Sequence, residues 1–417
     1  MNSIIGKTLP RILVVGVEDI FTSNISSAFT ARSFLEGWPE DCLRQVVCGD
    51  CEPSQQTFVL SNKNKWFYGL FSLRKPRPVS IKRDDTSFYK AKPTLKSIIH
   101  KRLVYAYSSL PYKRNKDLEK FIDNFNPDII YSYSANYSVL KLIVKIANKR
   151  KIPFVPHFYD DWPNNLFSES KFFRGRVTSL VRSITKNAPV VFCICELMCQ
   201  EYNKRYGGEK YQPLMHSVLP ITKVQKARNT TNLIYAGSIY LGRYKSLLAF
   251  CKELDNTNIP ALCLTVYTNQ QAWDELKDLF APYPFVKYGG YVSQEELTRS
   301  IGNADGLVFI ESLDEEMLVY THYSMSTKIP EYLSSGNPIL AIGNEKQGSI
   351  SYLKEHDAAY IATSIKDIPG IVKSFLCKEN LNEILTNAVT LFNANHLRTT
   401  QKERFAEIMI AASKKMC

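Results

Sequence analysis

The sequence lacks any long apolar run. No charge-free stretch approaches the ~20 residues that a helix needs to span a bilayer. The first eleven residues have neither the apolar core nor the cleavage site of a signal peptide, and the apolar run at 12–15 is too short to supply one. The ten cysteines include Cys193, Cys195 and Cys263, which lie in apolar runs and fit a reducing compartment. We therefore expect a cytoplasmic protein.

Complete motifs for metals, dinucleotides and nucleic acids are also missing. Cys48 and Cys51 have the spacing of a zinc knuckle, but no second pair of ligands accompanies them. The loop after residues 12–15 contains no G-x-G-x-x-G, so NAD binding is not supported. No helix-turn-helix, RRM or zinc-finger signature is present, which argues against nucleic acid. We expect no metal, no cofactor and no nucleic-acid partner.

Carboxylates are scarce relative to basic residues. There are 40 Asp and Glu against 53 Lys and Arg, and the net charge of +13 favours an anionic partner. The imbalance is concentrated in the basic aromatic segment, residues 61–116, where Asp84 and Asp85 are the only carboxylates. Two interpretations stay open. The segment either contacts an anionic inner leaflet of a membrane, or is a solvated insertion whose aromatic side chains face the protein's own core.

What is present is an alternation of predicted strands and helices. Strands are predicted at 128–132, 152–157, 190–194, 215–219, 232–236, 262–267, 306–310 and 339–342. Helices are predicted at 138–150, 172–187, 246–254 and 271–280. This rhythm is typical of doubly wound parallel sheets, an α/β class whose ligands bind at the carboxyl ends of the strands.

One candidate site follows the predicted strand 152–157. His157, Asp160 and Asp161 lie there beside Trp162, and such a group at a strand end is typical of a ligand site. The same residues could instead serve only to stabilise the turn after the strand. The two adjacent carboxylates do not have the spacing of a metal-binding D-x-D motif.

A second candidate is the loop after the predicted strand 232–236. Gly237 and Ser238 begin it, and Arg243 and Lys245 precede a predicted helix. Glycine lets the backbone approach a ligand closely, and basic groups at a helix N-terminus suit phosphates. We interpret the loop as a phosphate cradle in which Arg243 is a stronger candidate than Lys245.

The third candidate is the stretch 326–343. Ser326 or Thr327 can cap a short helix that carries Lys328 and Glu331 three residues apart, on one face. Gly336 suits the left-handed position after a helix, and residues 339–342 form an apolar strand. Lys328 suits a phosphate and Glu331 suits the vicinal hydroxyls of a sugar. Alternatively, the two side chains simply pair with each other on a solvated face.

This third stretch resembles the donor-site segment of family 4 retaining glycosyltransferases, which read Ser-Lys-x-x-Glu-Tyr-Leu-Ala-x-Gly-x-Pro followed by an apolar run. The resemblance implies that Lys328 contacts the donor's phosphates and Glu331 holds its ribose. It implies the same phosphate role for Arg243, and base contacts for Tyr291 and Val292 in a Gly-containing loop. A strand-end His or Asp would lie against the transferred sugar, which His157, Asp160 and Asp161 match.

The resemblance also implies the GT-B architecture, two Rossmann-like doubly wound domains facing a central cleft. We place an N-terminal acceptor-binding domain at 1–220, a linker at 221–231 and a C-terminal nucleotide-sugar-binding domain at 232–395. A C-terminal helix at 396–417 is expected to pack back on the N-terminal domain. One departure is that the first Glu of the family's E-x7-E motif would fall at Tyr323; His322, Tyr323 and Ser324 are candidates for its role.

The implied activity is metal-independent transfer of a sugar from a UDP- or GDP-linked donor to a saccharide or lipid-linked saccharide, as in capsule or O-antigen assembly. Two alternatives stay open. One is a nucleotide-sugar 2-epimerase of the same fold, and the other is a non-catalytic basic protein held on a membrane or nucleic acid.

Overall fold

The computed structural model describes residues 8–23, 25–67, 95–166, 170–223, 230–257, 259 and 261–414. The chain folds as two compact units. The first unit contains the described residues up to 215 together with 398–414, and the second contains residues 216–397. Residues 68–94 of the basic aromatic segment and residues 224–229 of the predicted linker lie outside the described residues.

The first unit contains a parallel sheet of seven strands. The strands are β1 (Ile12–Gly16), β2 (Leu43–Val47), β3 (Thr57–Val59), β4 (Ile129–Ser132), β5 (Phe154–Phe158), β6 (Val191–Cys193) and β7 (Tyr211–Pro213). Their order is β3-β2-β1-β4-β5-β6-β7. The helices are α1 (Ser26–Leu35), α2 (Leu95–Ser108), α3 (Lys116–Phe125), α4 (Tyr137–Arg150), α5 (Trp162–Asn165), α6 (Lys171–Asn187) and α7 (Glu196–Tyr206).

Both faces of the first sheet are covered. Alternate residues of a strand point to opposite faces, and in β1 Ile12 packs with α1 whereas Leu13 packs with α3 and α4. The last helix of the chain, α16 (Arg398–Ser413), completes the first of these cores. Its Phe405 is fully buried, and its ring lies 5.3 Å from that of Tyr131 and 5.8 Å from that of Phe34. The predicted return of the C-terminal helix to the N-terminal unit is confirmed.

The second unit contains a parallel sheet of six strands. They are β8 (Thr231–Ala236), β9 (Leu262–Tyr267), β10 (Val286–Gly290), β11 (Gly306–Ile310), β12 (Ile339–Ile342) and β13 (Tyr360–Ala362), in the order β10-β9-β8-β11-β12-β13. The helices are α8 (Arg243–Asn256), α9 (Gln270–Phe280), α10 (Gln294–Gly302), α11 (Leu318–Thr321), α12 (Lys328–Ser334), α13 (Gly348–Glu355), α14 (Ile368–Leu376) and α15 (Leu381–Asn395). Leu233, Phe250 and Leu340 belong to its core.

Each sheet has a point at which the strand order reverses. In the first sheet the chain runs outward from β1 through β2 and β3, then continues on the other side with β4. In the second sheet the same reversal separates β8 from β11. Loops that leave neighbouring strands in opposite directions open a crevice at their carboxyl ends, where α/β proteins bind ligands. The predicted α/β class with two doubly wound parallel sheets is confirmed.

The predicted strand at 152–157, which includes His157, is observed as β5. Two local predictions were wrong. Residues 215–219 form no strand beyond a single bridge from Val218 to Leu397, and the edge strand β7 ends at Pro213. Helix α8 begins at Arg243, three residues before the predicted start. In the part of the chain that the structure describes, no helix combines the length and apolarity needed to cross a membrane.

Candidate functional site

The loop from β8 to α8 passes close to the end of β11. Gly242, the residue before α8, has a φ of +75°, and a Cβ there would lie 2.5 Å from the Ser312 hydroxyl oxygen. Only glycine suits both constraints, since other residues rarely adopt this φ. Gly237 and Ser238 begin the same loop, and the Ser238 carbonyl accepts a hydrogen bond from the Tyr235 hydroxyl at 2.7 Å. The loop therefore lies at the reversal point of the second sheet.

Arg243 is held by a carboxylate that sequence reasoning missed. Its Nε and Nη2 atoms donate to the two oxygens of Glu311 at 2.9 and 3.0 Å. Glu311 directly follows β11 and is buried, so burial raises the pKa of its carboxyl while the Arg243 guanidinium opposes that rise. Bidentate pairing fixes the plane of the guanidinium. The pair therefore bridges the loops of β8 and β11.

Lys245 also pairs with a carboxylate, but at the protein surface. Its Nζ lies 2.7 Å from an oxygen of Asp314, and both side chains are largely exposed. An exposed pair of this kind contributes about 0–1 kcal/mol. Both cations of the predicted phosphate cradle are thus matched by carboxylates of the loop after β11, which the spacing of the cradle motif did not reveal.

Lys328 and Glu331 pair with each other at 2.8 Å, but not on a solvated face. Glu331 is buried on helix α12, and its other oxygen accepts a hydrogen bond from the Gln294 side chain at 3.1 Å. Gln294 is the first residue of α10, 37 residues earlier in the chain, and sequence reasoning missed it. Of the two predicted capping residues, Ser326 accepts from the Lys328 N–H, and Thr327 makes no side-chain cap.

Helix α12 is fixed over the sheet by Tyr332. The Ala236 N–H at the end of β8 donates to the Tyr332 hydroxyl at 3.0 Å, and that hydroxyl donates to the Val308 carbonyl of β11. Tyr332 is fully buried and follows Glu331 directly in the chain. Helix α12, which carries Lys328 and Glu331, is therefore bonded to the two strands at which the order of the second sheet reverses. Gly336 has the predicted left-handed φ, +66°, and β12 spans the predicted strand.

The predicted base-contacting residues lie on the loop between β10 and α10. Tyr291 is 86% exposed, and Val292 is the next residue. The loop leads directly to Gln294, so it lies beside the Lys328–Glu331 pair. His322 and Tyr323, two candidates for the missing upstream carboxylate, follow α11 and have their rings in contact at 4.2 Å. Ser324 donates to the Tyr320 carbonyl. The donor roles predicted for all these residues stay predictions.

In the first unit, His157 is enclosed by the fold. Its Nδ1 lies 2.8 Å from the Tyr131 hydroxyl, and its Nε2 lies 3.0 Å from the Leu214 carbonyl oxygen. Burial lowers the pKa of the imidazole to about 3, which keeps it neutral. Both ring nitrogens already have partners, which favours a structural role; the predicted contact with a sugar stays a prediction.

Asp161 is also a structural anchor in this arrangement. Both of its oxygens accept from Arg205 at 2.9 Å, and one also accepts from the Tyr202 hydroxyl. Burial nevertheless raises the pKa of this carboxyl. Asp160, its neighbour, instead lines a cavity at the carboxyl ends of β1, β4 and β5. Of His157, Asp160 and Asp161, only Asp160 lines that cavity.

Metal-ligating side chains are scattered. Among the residues that the structure describes, no three His, Cys, Asp or Glu side chains are grouped so that they could hold a metal ion. Cys48, half of the zinc-like pair, is buried, and burial raises the pKa of its thiol to about 12.

Comparison with known proteins identifies the class of fold. The Anabaena protein Alr3699/HepE, solved in complex with UDP, superposes with a TM-score of 0.63 at 13% identity, over 96% of this chain and 100% of that one. A glycosyltransferase from Rickettsia africae gives 0.62 at 12%, over 98% and 100%. WaaG, a glycosyltransferase involved in lipopolysaccharide biosynthesis, gives 0.54 at 12%, over 95% and 99%. The chain has the GT-B fold.

The second unit also matches a family at the level of sequence. Residues 233–397 match the family described as the glucosyltransferase 3-like C-terminal domain. The matched segment contains the Arg243–Glu311 and Lys328–Glu331 pairs. No curated protein matches the chain by sequence.

The buried Arg243–Glu311 pair predicts a strong energetic coupling. Arg243→Met leaves the Glu311 carboxylate buried without its partner, which costs about 3–5 kcal/mol of unfolding free energy, whereas Arg243→Met combined with Glu311→Leu should recover most of that loss. Denaturant unfolding of the single and double variants measures the coupling. Lys245→Met is the matched control and should cost no more than about 1 kcal/mol. Equal losses of unfolding free energy for Arg243→Met and Lys245→Met would contradict the prediction.

The enclosed His157 predicts acid sensitivity. Its pKa is lower in the folded state, about 3, than its ordinary value of 6.5, so its contribution to stability is fully present above pH 6.5 and is lost as the pH falls toward 3. Protonation of His157 should lower the unfolding free energy by about 1.4 kcal/mol for each pH unit between 6.5 and 3. His157→Gln should reduce the slope of unfolding free energy against pH by that amount. His356→Gln, at an exposed site, is the control. A histidine NMR titration that places the His157 pKa near 6.5 would refute this.

Proposed function

We propose that the protein is a retaining glycosyltransferase that moves a sugar from a nucleotide-diphosphate donor to a saccharide or lipid-linked saccharide. The observation that carries this proposal is that two cation–carboxylate pairs lie on elements attached to the central strands β8 and β11. Arg243–Glu311 connects the loops after both strands, and Lys328–Glu331 lies on helix α12, which Tyr332 bonds to both strands. Support comes from the match of this unit to a glucosyltransferase-type domain and from the glycosyltransferases among the structural neighbours.

The proposed chemistry centres on the leaving diphosphate. Breaking the bond between the sugar's anomeric carbon and the phosphate oxygen places negative charge on that oxygen, and cations fixed beforehand stabilise it. Arg243 and Lys328 are the cations proposed for this role, assisted by the N-terminus of α8. In the front-face mechanism implied by the family resemblance, the departing phosphate oxygen takes the proton of the acceptor hydroxyl as the new bond forms. No protein nucleophile is then required.

The carboxylate partners hold these cations in a defined position, and they also offset the positive charge of the cations. Glu311 holds the Arg243 guanidinium, and Glu331 holds the Lys328 ammonium. Glu331 has further lone pairs that can accept hydrogen bonds from the two ribose hydroxyls while it remains bound to Gln294. The base would then lie against Tyr291 and Val292. UDP-linked sugars are the first donors to test, since Alr3699/HepE was solved with UDP and with UDP-glucose.

A cytoplasmic enzyme acting on lipid-linked acceptors would work at a membrane surface, and the first unit has side chains suited to that surface. Trp66, Phe67 and Phe172 are 50%, 59% and 65% exposed. Helix α6 has five basic residues and no acidic one, and it bears a shallow groove lined by Lys171, Arg174 and Arg182. Exposed aromatic groups beside basic ones favour anionic headgroups. We therefore also propose peripheral contact with the anionic inner leaflet.

The role of Glu331 is tested with UDP binding. Glu331→Ala removes the proposed ribose acceptor, so UDP should bind about 10- to 100-fold more weakly, equivalent to ~1.5–3 kcal/mol. The variant should also no longer distinguish UDP from its 2′,3′-dideoxy analogue, whereas the parent should. Calorimetric titration measures both affinities.

Glu383→Ala, at an exposed position on α15, is the control and should bind as the parent does. Unchanged discrimination between the two nucleotides in Glu331→Ala would overturn the ribose role.

For the reaction itself, NMR of the product gives the anomeric configuration, and inversion would contradict a retaining mechanism. Conversion of a nucleotide sugar to its 2-epimer without acceptor would favour the epimerase alternative.

The membrane contact is tested with vesicles. The parent should sediment with vesicles that contain phosphatidylglycerol but not with pure phosphatidylcholine, and added salt should weaken the binding. Arg174→Ala with Arg182→Ala should lower the affinity by tenfold or more, at about 1 kcal/mol per basic residue. Lys145→Ala with Lys204→Ala, two exposed lysines of other helices, is the control. Equal binding of both double variants would argue against a role for α6.

A further inference from the structure

Gln347 is a fully buried amide that lies outside the two ion pairs of the second unit. It directly precedes helix α13 and has no exposed surface. Its Nε2 donates to the Ser312 carbonyl at 3.0 Å and to the Thr321 hydroxyl oxygen at 3.1 Å. Thr321 donates its own hydroxyl proton to the Met317 carbonyl, so its oxygen is free to accept. Both protons of the Gln347 amide therefore have acceptors.

The bond to the Ser312 carbonyl connects Gln347 with the Arg243 site. Ser312 directly follows Glu311, whose two oxygens hold the Arg243 guanidinium. The Glu311 N–H donates to the Ile342 carbonyl at the end of β12, at 2.7 Å. The chain is thus held immediately before the Glu311 side chain by β12 and immediately after it by Gln347. This double restraint sets the direction in which the Glu311 carboxylate points.

Gly343, which directly follows β12, lets Gln347 and Glu311 pack against the same point of the backbone. A Cβ at this glycine would lie 2.6 Å from the Gln347 Oε1 and 2.8 Å from the Glu311 Cβ. Both distances are shorter than ordinary van der Waals contacts, so any side chain at this position would displace one of the two groups. The close approach of the amide to the loop after β11 therefore requires glycine here.

The oxygen of the same amide has no partner. Among the described residues no group donates to the Gln347 Oε1, although the atom is buried. A buried acceptor without a donor destabilises the folded state, and such groups are rare in native proteins. An apolar side chain of similar size would avoid that loss. What Gln347 contributes is therefore the pair of bonds from its Nε2.

The first turn of α13 also holds the loop that leads to helix α12. Ser349 accepts a hydrogen bond from the Ser326 N–H at 2.9 Å. Ser326 accepts in turn from the Lys328 N–H at the start of α12. Residues 347–349 therefore restrain both ends of the connection from β11 to α12.

We infer that Gln347 is a positioning residue that aligns the Arg243 guanidinium with the diphosphate of the donor, acting through the loop after β11. The inference deepens the proposed transferase function and rests on it. It gives Gln347 no contact with the donor. Removal of the amide should impair recognition of the β-phosphate and spare recognition of the ribose, because Glu331 is held by Gln294 and Lys328 instead.

The experiment compares UDP with UMP, which lacks the β-phosphate, by calorimetric titration of the full chain. Gln347→Met keeps the length of the side chain and removes its donors. The parent should prefer UDP to UMP, and the variant should reduce that preference by about three- to tenfold, the effect of a misaligned charge-assisted hydrogen bond. Discrimination between UDP and its 2′,3′-dideoxy analogue should not change. A general loss of folded protein would weaken both nucleotides together and leave the ratio of their affinities unchanged.

Three further variants locate the effect. Arg243→Met should itself lose most of the preference for UDP, and Gln347→Met added to it should change the ratio by less than about twofold, because the two residues act as one unit. Thr321→Val removes only the second acceptor of Gln347 and should also change the ratio by less than about twofold. Gln271→Met, at an exposed position on α9, is the matched control and should bind both nucleotides as the parent does.

Several results would overturn the inference. They are an unchanged ratio of UDP to UMP affinity in Gln347→Met, an equal loss in Thr321→Val, and a loss of the same size whether or not Arg243 is present. If Arg243→Met reduces the preference for UDP and Gln347→Met does not, the inference fails and the transferase proposal stands. If the parent binds no nucleotide and no nucleotide sugar, the transferase proposal fails, and the role of Gln347 in donor binding fails with it.

Discussion

The arrangement of the second unit depends on the hydroxyl of Tyr332. By accepting from the end of β8 and donating to β11, it ties helix α12 to the two strands between which the sheet reverses its order. An α-helix of seven residues is marginal by itself, so its direction comes from this anchor and from the burial of Ile329 and Leu333. The direction of helix α12 in turn sets the positions of Lys328 and Glu331. The position of the site is therefore set by the sheet beneath it.

Charge neutrality is the second property of this site. In the described residues each predicted phosphate-binding cation has a carboxylate partner: Glu311 for Arg243, Asp314 for Lys245 and Glu331 for Lys328. Buried pairs of this type add little net stability, but they hold cations in a defined geometry. An anion that arrives there meets oriented donors rather than flexible ones. The excess positive charge of the chain accordingly lies elsewhere, as on the exposed face of α6.

Local patterns predicted the two-sheet fold, because strand and helix periodicity, glycines and capping residues act over a few neighbours. They also predicted Lys328, Glu331 and Gly336 in their observed elements. Partners distant in the chain were not predictable: Gln294 meets Glu331 across 37 residues, and Glu311 meets Arg243 across 68. For His157, the sequence could not show that both ring nitrogens meet Tyr131 and Leu214, because a strand-end histidine looks the same in sequence whatever it faces. No contiguous stretch of the sequence marked the cavity that Asp160 lines, because its walls come from the loops after β1, β4 and β5.

Helix α16 gives the chain an unusual order of assembly. It supplies Phe405 and Met409 to the interior of the unit whose sheet is synthesised first. During translation, the second unit can bury its own interior while the first still exposes an apolar seam along Phe34 and Tyr131. That surface can be covered only after residues 398–413 have left the ribosome, so the first unit of the nascent chain exposes apolar surface until then.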